Sequence, residues 1–207
     1  MRVLRCGRRA ALVELDDLDA VGRLHAALRA HPLPGVDELV PAARTLLIHY
    51  DPAVTDHTRL AAALAALPAA EAARTERAGV LVPVRYDGED LDEVAHRTGL
   101  TPAEVVDRHT AATYRVAFCG FAPGFAYLTG LDPVLRLPRR TSPRTRVPAG
   151  SLAVAGEFTG IYPRESPGGW HLLGSTDFPL WNPSADPPTR LTPGTTVRFL
   201  PLEAPQR

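Results

Sequence analysis

Lysine is missing from this chain: all 23 basic residues among its 207 are arginine. That excludes a P-loop lysine, a Schiff-base lysine for pyridoxal phosphate and a lysine that carries biotin. Cysteine is nearly missing as well. Cys6 and Cys119 lie far apart and form no C-x-x-C, which argues against a zinc ribbon and a thioredoxin-type site. Cys119 sits in the apolar run Val116-Ala117-Phe118-Cys119 and reads as a small buried hydrophobe, not a reactive thiol. Net charge is absent too, with 23 basic residues against 23 acidic ones. The whole molecule therefore has no pull toward nucleic acid or membrane. The longest apolar stretch, Leu60 to Ala70, is broken by Pro68 and is too short to cross a bilayer. No N-terminal segment combines a basic region, an apolar run and a small-residue cleavage site, so a soluble, cytoplasmic protein is expected.

Nucleophile and metal patterns are lacking in the same way. No serine has a G-x-S-x-G context, and Ser151 has no base beside it in the sequence. The seven histidines form no H-x-x-x-H, and no carboxylates stand at metal spacing, so no metal site is expected and the catalytic residues stay unassigned. A lone histidine such as His109 or His171 is more often a hydrogen-bonded structural residue than a base.

What is present is an ordinary globular composition, 45% hydrophobic and 22% charged, enough for one domain or two small ones. Punctuation is uneven. Positions 1–119 hold 7 Pro and 6 Gly, whereas positions 120–194 hold 12 Pro and 10 Gly. In the second stretch they are interleaved with Phe, Tyr, Leu, Val and Trp, which suits many short strands joined by tight turns.

In the first part, Ala11, Val13 and Leu15 alternate as a half-buried strand. Leu18, Val21, Leu24 and Leu28 then repeat at helical spacing up to His31-Pro32. Strands follow over Val36 to Val40 and Thr45 to Tyr50, the latter with Leu46, Ile48 and Tyr50 on one face. A second helix uses Leu60, Leu64 and Leu67, with Asp56 as N-cap and Pro68 as its stop. The Ala-rich stretch 61–73 is helix material. Val80 to Tyr86 is the next strand. The order βαββαβ is that of a ferredoxin-like sandwich, predicting an α+β domain over 1–79 and a mostly β domain over 80–207. Two short helices near 90–110 open the second domain, each with a capping box: Asp90-Leu-Asp-Glu93 and Thr101-Pro-Ala-Glu104. Gly99 separates them. That helix–Gly–helix resembles a DNA-binding element, but residues 81–110 carry 3 Arg against 7 acids, which would repel phosphates.

The balance then reverses, with 6 Arg and one acid over residues 111–150. Arg136, Arg139, Arg140, Arg144 and Arg146 fall in one run stiffened by Pro138, Pro143 and Pro148. Rigid guanidinium forks suit carboxylate or phosphate, although a bare arginine cluster is more commonly a solvated loop. RNA is a poor fit, because no aromatic lies between the arginines to stack a base. Gly120-Phe-Ala-Pro-Gly-Phe-Ala-Tyr127 reads as a shaped loop. Thr159-Gly-Ile-Tyr-Pro163 and Ser166-Pro-Gly-Gly-Trp170 add glycine amides that could face an anion.

Taken together these segments carry a resemblance. Phe118-Cys-Gly-Phe-Ala-Pro-Gly-Phe-Ala-Tyr-Leu128, Pro138-Arg-Arg-Thr-Ser-Pro-Arg144, Val147-Pro-Ala-Gly-Ser151 and Thr159-Gly-Ile-Tyr-Pro163…Ser166-Pro-Gly-Gly-Trp170 resemble the family of KipI and the B-type 5-oxoprolinase subunit (PxpB). The same family is also called allophanate hydrolase subunit 1 or carboxyltransferase domain subunit 1. His109-x4-Tyr114 and Val82-Pro-Val-Arg-Tyr86 extend the likeness over nearly the whole chain. The resemblance implies a cyclophilin-like barrel for the second domain and a hydrolase complex that converts 5-oxo-L-proline to L-glutamate with ATP and Mg2+, without a covalently bound cofactor. It implies as partners a homologous C-type subunit (allophanate hydrolase subunit 2 type) and a third 5-oxoprolinase subunit, without which this chain would be inactive. The alternatives it carries are a KipI-like inhibitor of a sensor histidine kinase and a carboxyltransferase part acting on urea or a related amide.

On this footing Arg139, Arg140 and Arg144, with Tyr162, Gly168, Gly169 and His171, are the candidates for binding substrate or phosphate. Phe121, Pro123, Gly124, Phe125, Tyr127, Pro148, Gly150, Ser151, Pro167 and Trp170 are the candidates for shaping the pocket. Two positions depart from the family pattern: Phe158, where a Gln usually precedes the T-G-x-Y-P run, and Ser175, where a basic residue commonly stands.

Overall fold

In a computed structural model of the protein, residues 1–68 and 77–202 are described. The end of the Ala-rich stretch, 69–73, lies outside them. The chain divides into two units, Met1–Thr75 and Glu76–Arg207.

The first unit is built from β1 (Arg2–Cys6), β2 (Ala10–Glu14), α1 (Leu18–Ala30), β3 (Val36–Pro41), β4 (Thr45–Tyr50) and α2 (His57–Ala66). Its sheet runs β1-β2-β4-β3, every pair antiparallel. The alternation in the sequence sets which face is buried: Ala11, Val13, Leu46, Ile48 and Tyr50 enter one core with Leu28 of α1 and Leu60 and Leu64 of α2. Each large side chain so buried contributes about 1.5–3 kcal/mol. Asp17 caps α1 by accepting from the Ala20 amide at 2.7 Å. Asp56 caps α2, accepting from Thr58 and Arg59, each at 2.9 Å.

The element order is therefore ββαββα, and the expected ferredoxin-like βαββαβ is corrected at both ends. The strand from Val80 does not complete this sheet. The edge beside β2 is taken instead by β1, whose half-buried Val3 and Leu4 are flanked by arginines. A charged edge strand carries too little apolar signal to be recognised in a sequence. Arg2 pairs with Glu14 across β1 and β2 at 2.9 Å.

The second unit begins with β5 (Arg77–Val84), α3 (Leu91–Thr98), α4 (Pro102–Ala111), β6 (Tyr114–Cys119) and β7 (Ala126–Thr129). It continues with β8 (Arg144–Val147), β9 (Ser151–Ala155), β10 (Phe158–Ile161), β11 (Ser166–Gly168), β12 (His171–Ser175) and β13 (Thr195–Pro201). Seven strands form one sheet in the order β12-β9-β10-β7-β6-β13-β5, and β8 and β11 make a separate ribbon. Only β5 and β13 are parallel within the large sheet. An antiparallel bridge between Arg85 and Ser175 joins its two edges, with N–H···O distances of 2.8 and 2.7 Å. The sheet is thus a nearly closed barrel, filled by Val82, Val84, Tyr114, Val116, Leu128, Leu152, Val154, Ile161, Leu173, Val197 and Phe199.

α4 inserts His109 into this interior, where the ring is fully buried. The Tyr86 hydroxyl meets its Nδ1 at 2.8 Å and Thr159 Oγ1 meets its Nε2 at 3.1 Å. Because Thr159 Oγ1 donates to the Ala153 carbonyl at 3.0 Å, one arrangement satisfies every atom: Tyr86 donates to Nδ1, and Nε2–H donates to Thr159. Burial pushes the His109 pKa down to about 3. The structural reading of this histidine holds.

Candidate functional site

The candidate residues gather around the loop between β6 and β7. A γ-turn opens it: the Ala122 amide donates to the Gly120 carbonyl at 2.7 Å around Phe121, whose φ is 67°. A positive-φ γ-turn is strained, and at a phenylalanine it costs on the order of 1–3 kcal/mol. The strain sets Phe121 out into solvent at 57% exposure, with one edge against Phe125 and another against Tyr162. Pro123 is exposed on the same loop. Gly124 has φ 85°, and a Cβ there would strike Trp181 and crowd the Leu180 carbonyl and Pro163.

Beneath the loop lies an aromatic cluster. Phe125 meets Tyr127, Tyr162 and Trp170 with ring centroids 5.0, 5.4 and 5.5 Å away, and Tyr127 stacks on Phe118 at 4.4 Å. Phe158, one of the two departures, closes the cluster edge-on against Phe118 and Tyr127. The Tyr162 hydroxyl lies directly over Gly168, where any side chain would collide with it. Burial raises the Tyr162 pKa, opposed by the Trp170 backbone N–H and by the charges of Arg139 and Arg144. Tyr127 is likewise raised by burial and opposed by Arg139.

The arginine run is not one cluster of free forks. Arg144 grips Asp90 with both terminal nitrogens, at 2.8 and 2.7 Å. Arg140 reaches the same carboxylate at 2.6 Å and Glu93 at 2.8 Å, while Arg146 pairs with Glu165 at 2.7 Å and Arg136 turns to the Leu131 carbonyl. Arg139, like Arg136, is exposed with no ion pair among the described residues, and the charge of Arg139 acts on both Tyr127 and Tyr162.

The sequence pattern casts Asp90 as a helix cap. It stands at the N-cap of α3 but makes no side-chain capping bond. Its carboxylate, 3% exposed, accepts from Arg140, from Arg144 and from the Leu172 amide at 2.8 Å. Burial opposes its charge, but the Arg144 hydrogen bond, the Leu172 amide and the two guanidinium charges together hold its pKa below the usual carboxylate range. The other capping box, Thr101 with Glu104, forms as expected. Asp90 and Glu93 are the site-supporting residues that sequence reasoning misses. The available signal is the acidic block 81–110 standing just before the basic block 111–150.

The remaining candidates are mostly supports. His171 is fully buried and donates from Nε2 to the Pro138 carbonyl at 2.9 Å, with Nδ1 turned toward Glu93 at 4.0 Å. Gly169 accepts the Arg140 amide at 2.8 Å. Gly150, with φ 80°, donates to the Tyr162 carbonyl at 2.7 Å, and Tyr162 donates to the Ser151 carbonyl at 2.9 Å. The Ser151 hydroxyl donates to the Pro148 carbonyl at 2.9 Å, which leaves it no general base. Pro148 and Pro167 are exposed on the ribbon side. Ser175, the other departure, donates to Asp87 at 3.1 Å. Among the described residues no three His, Cys, Asp or Glu side chains are placed to hold a metal ion, and no helix is long and apolar enough to cross a membrane.

The arrangement offers a free guanidinium beside two phenols, an exposed aromatic edge and a rigid backing. It can bind a small carboxylate and cover an apolar ring. Comparisons with known proteins bear on which ligand that is. Residues 1–191 match the model of the carboxyltransferase domain, subdomain C and D. The B-type 5-oxoprolinase subunit of Bacillus subtilis is 39% identical over 86% of this chain and 82% of its own length. That of Escherichia coli O157:H7 is 46% identical over 63% of this chain and 62% of its own. The crystal structure of TTHA0988 superposes with a TM-score of 0.79 at 43% identity, over 97% of this chain and 41% of that one. The present chain thus spans less than half of that structure.

Proposed function

The chain belongs to the carboxyltransferase domain, subdomain C and D, family that includes the B-type 5-oxoprolinase subunits (PxpB/KipI), and from that premise we propose that it is the B-type component of an ATP-dependent 5-oxoprolinase. The complex hydrolyses 5-oxo-L-proline to L-glutamate, and this chain is inactive without its partners. The observation that carries the reading is the identity to relatives that bear this 5-oxoprolinase name, 39% over most of both chains in one case.

The chemistry explains what such a site needs. A lactam carbonyl is a poor electrophile because its nitrogen shares its lone pair with it. Transfer of the ATP γ-phosphoryl group to the lactam oxygen turns that oxygen into a leaving group. One water then adds at the same carbon and the C–N bond opens, the nitrogen leaving as the amine and the carbon remaining as an acyl phosphate; a second water displaces the phosphate, so ATP and two waters yield glutamate, ADP and phosphate. Mg2+ enters with the nucleotide and screens the charge on its phosphates.

In this reading Arg139 binds the substrate carboxylate, while the Tyr127 side chain and the Phe121 ring confine the pyrrolidinone over the buried Tyr162. Arg140 and Arg144 act from behind, held to Asp90, and fix the loop that carries Arg139. The homologous C-type partner covers the exposed aromatic rim, and the enzyme is completed by a third subunit.

The test is 5-oxoproline-dependent ADP release by the complex captured from its native cells, with wild-type and Arg139→Gln chains. Loss of one charge-assisted hydrogen-bonded pair, worth about 1.5–3 kcal/mol, should raise KM for 5-oxoproline at least ~10-fold with a smaller change in kcat. A complex that contains the C-type homologue yet shows no 5-oxoproline-dependent turnover refutes the assignment.

A further inference from the structure

The first unit carries a second group of arginines that the reading above does not use. Arg5 of β1, Arg8 of the β1–β2 turn and Arg59 of α2 line one cavity of about 400 Å³, together with Tyr50, Pro52, Asp56 and His57. Three arginines line a cavity that holds a single carboxylate, Asp56. Arg59 meets Asp56 only at 3.5 Å, and Arg5 acts on it through space. Neither Arg5 nor Arg8 makes a hydrogen bond or ion pair with any described residue. The Nε2 atom of His57 is shielded from water and has no hydrogen-bond partner among the described residues, so it lies behind the cavity wall and offers no contact to a ligand there.

The N-terminus of α2 is not what would hold an anion, because Asp56 already takes the Thr58 and Arg59 amides. The guanidiniums are. Their charge is in excess, their forks match the geometry of a tetrahedral oxyanion, and the cavity has the size of a small-molecule site. Tyr50 and Pro52 supply an apolar wall on which the organic part of a ligand can rest.

We propose that the cavity between the β1–β2 turn and the start of α2 binds a phosphate-bearing anion, with Arg5, Arg8 and Arg59 as its cationic donors. The inference stands on the first unit alone and does not depend on the reaction assigned to the barrel.

Isothermal titration of the full chain with inorganic phosphate and, separately, with ADP in the absence of Mg2+ tests it. All three arginines are exposed, so Arg8→Gln with Arg59→Gln should leave the thermal transition in place while weakening binding at least ~10-fold. Arg139→Gln should leave that binding unchanged. Equal affinity for the two probes identifies free phosphate as the occupant, and tighter ADP binding identifies a nucleotide. Absence of binding to wild type, or binding that survives the double substitution, overturns the proposal.

Discussion

Asp90 is the residue on which the arginine loop depends most heavily. Its carboxylate is 3% exposed and receives two arginines whose side chains are 25% and 20% exposed. In Asp90→Ala, Arg140 keeps only Glu93 at 2.8 Å and Arg144 only Glu89 at 3.2 Å, and the Leu172 amide loses its acceptor. Breaking a buried pair from one side costs about 3–5 kcal/mol. Partial solvation of both guanidiniums lowers the expectation here to about 2–4 kcal/mol. For a unit of this size that is a fall of about 6–12 °C in its thermal midpoint. Asp90→Asn keeps an acceptor for Leu172 and should cost roughly half as much. Both tryptophans of the chain, Trp170 and Trp181, lie in the second unit, so tryptophan fluorescence during urea unfolding reports this unit alone. A cycle with Arg144→Ala should give a coupling of about 1–3 kcal/mol. The folded pKa of Asp90 is depressed, so its contribution is complete above the unfolded value and fades as pH falls through the folded one. The acid limb of Asp90→Asn should be flatter for that reason. A loss below about 0.5 kcal/mol for Asp90→Ala, or a cycle with no coupling, would refute this account.

His109 gives the opposite entry point to acid sensitivity. Its folded pKa is about 3, so between about pH 6.5 and 3 the unfolded chain binds one more proton and stability should fall by ~1.4 kcal/mol per pH unit; His109→Asn should remove that slope in a pH series of urea unfolding curves. Cys119 donates to the Leu191 carbonyl at 3.3 Å, and burial raises its pKa to about 11. Cys6 is exposed. A thiol titration should therefore find one fast-reacting group in the native protein and two after denaturation, and two fast groups in the native state would contradict the packing. Gly168→Ala places a methyl on the Tyr162 hydroxyl and should destabilise the second unit by about 1–3 kcal/mol, with partial relief from Tyr162→Phe in calorimetry.

Local signals in the sequence are reliable wherever the answer is local. The helix from Leu18, its stop at His31, the strand Thr45–Tyr50 with its buried face, the Asp56 cap and the Thr101–Glu104 box all depend on residues within a few positions of each other. Apart from the charged edge strand β1, whose partner is close but whose apolar signal is weak, the errors lie where a partner is distant. Val80, Val82 and Val84 alternate as a strand should, but alternation does not name the neighbour, and β13 stands more than a hundred residues later. Asp90 three residues before Glu93 fits a capping box, yet the two arginines some fifty positions downstream offer stronger bonds than the helix amides do. Taken alone, the acidic block is a bar to DNA and the basic block an anion trap. In the fold they partly neutralise each other through Asp90, Glu93, Arg140 and Arg144, and Arg108 adds Asp132 at 3.0 Å. That leaves Arg136 and Arg139 without an ion pair among the described residues, and of the two Arg139 is the one whose charge acts on Tyr127 and Tyr162, a distinction invisible in a run of five.

The parallel pairing of β5 with β13 also orders events during synthesis. The first unit is a contiguous segment whose contacts are all available once its 75 residues have emerged. The barrel joins its own first strand to its last, Thr195–Pro201, so closure must wait until that last strand has left the ribosome. Until then Val80, Val82 and Val84 lie on an unpaired edge, the kind of surface that recruits chaperones or other nascent strands. Slow translation of the second unit would lengthen that exposure, while the first unit would already be folded.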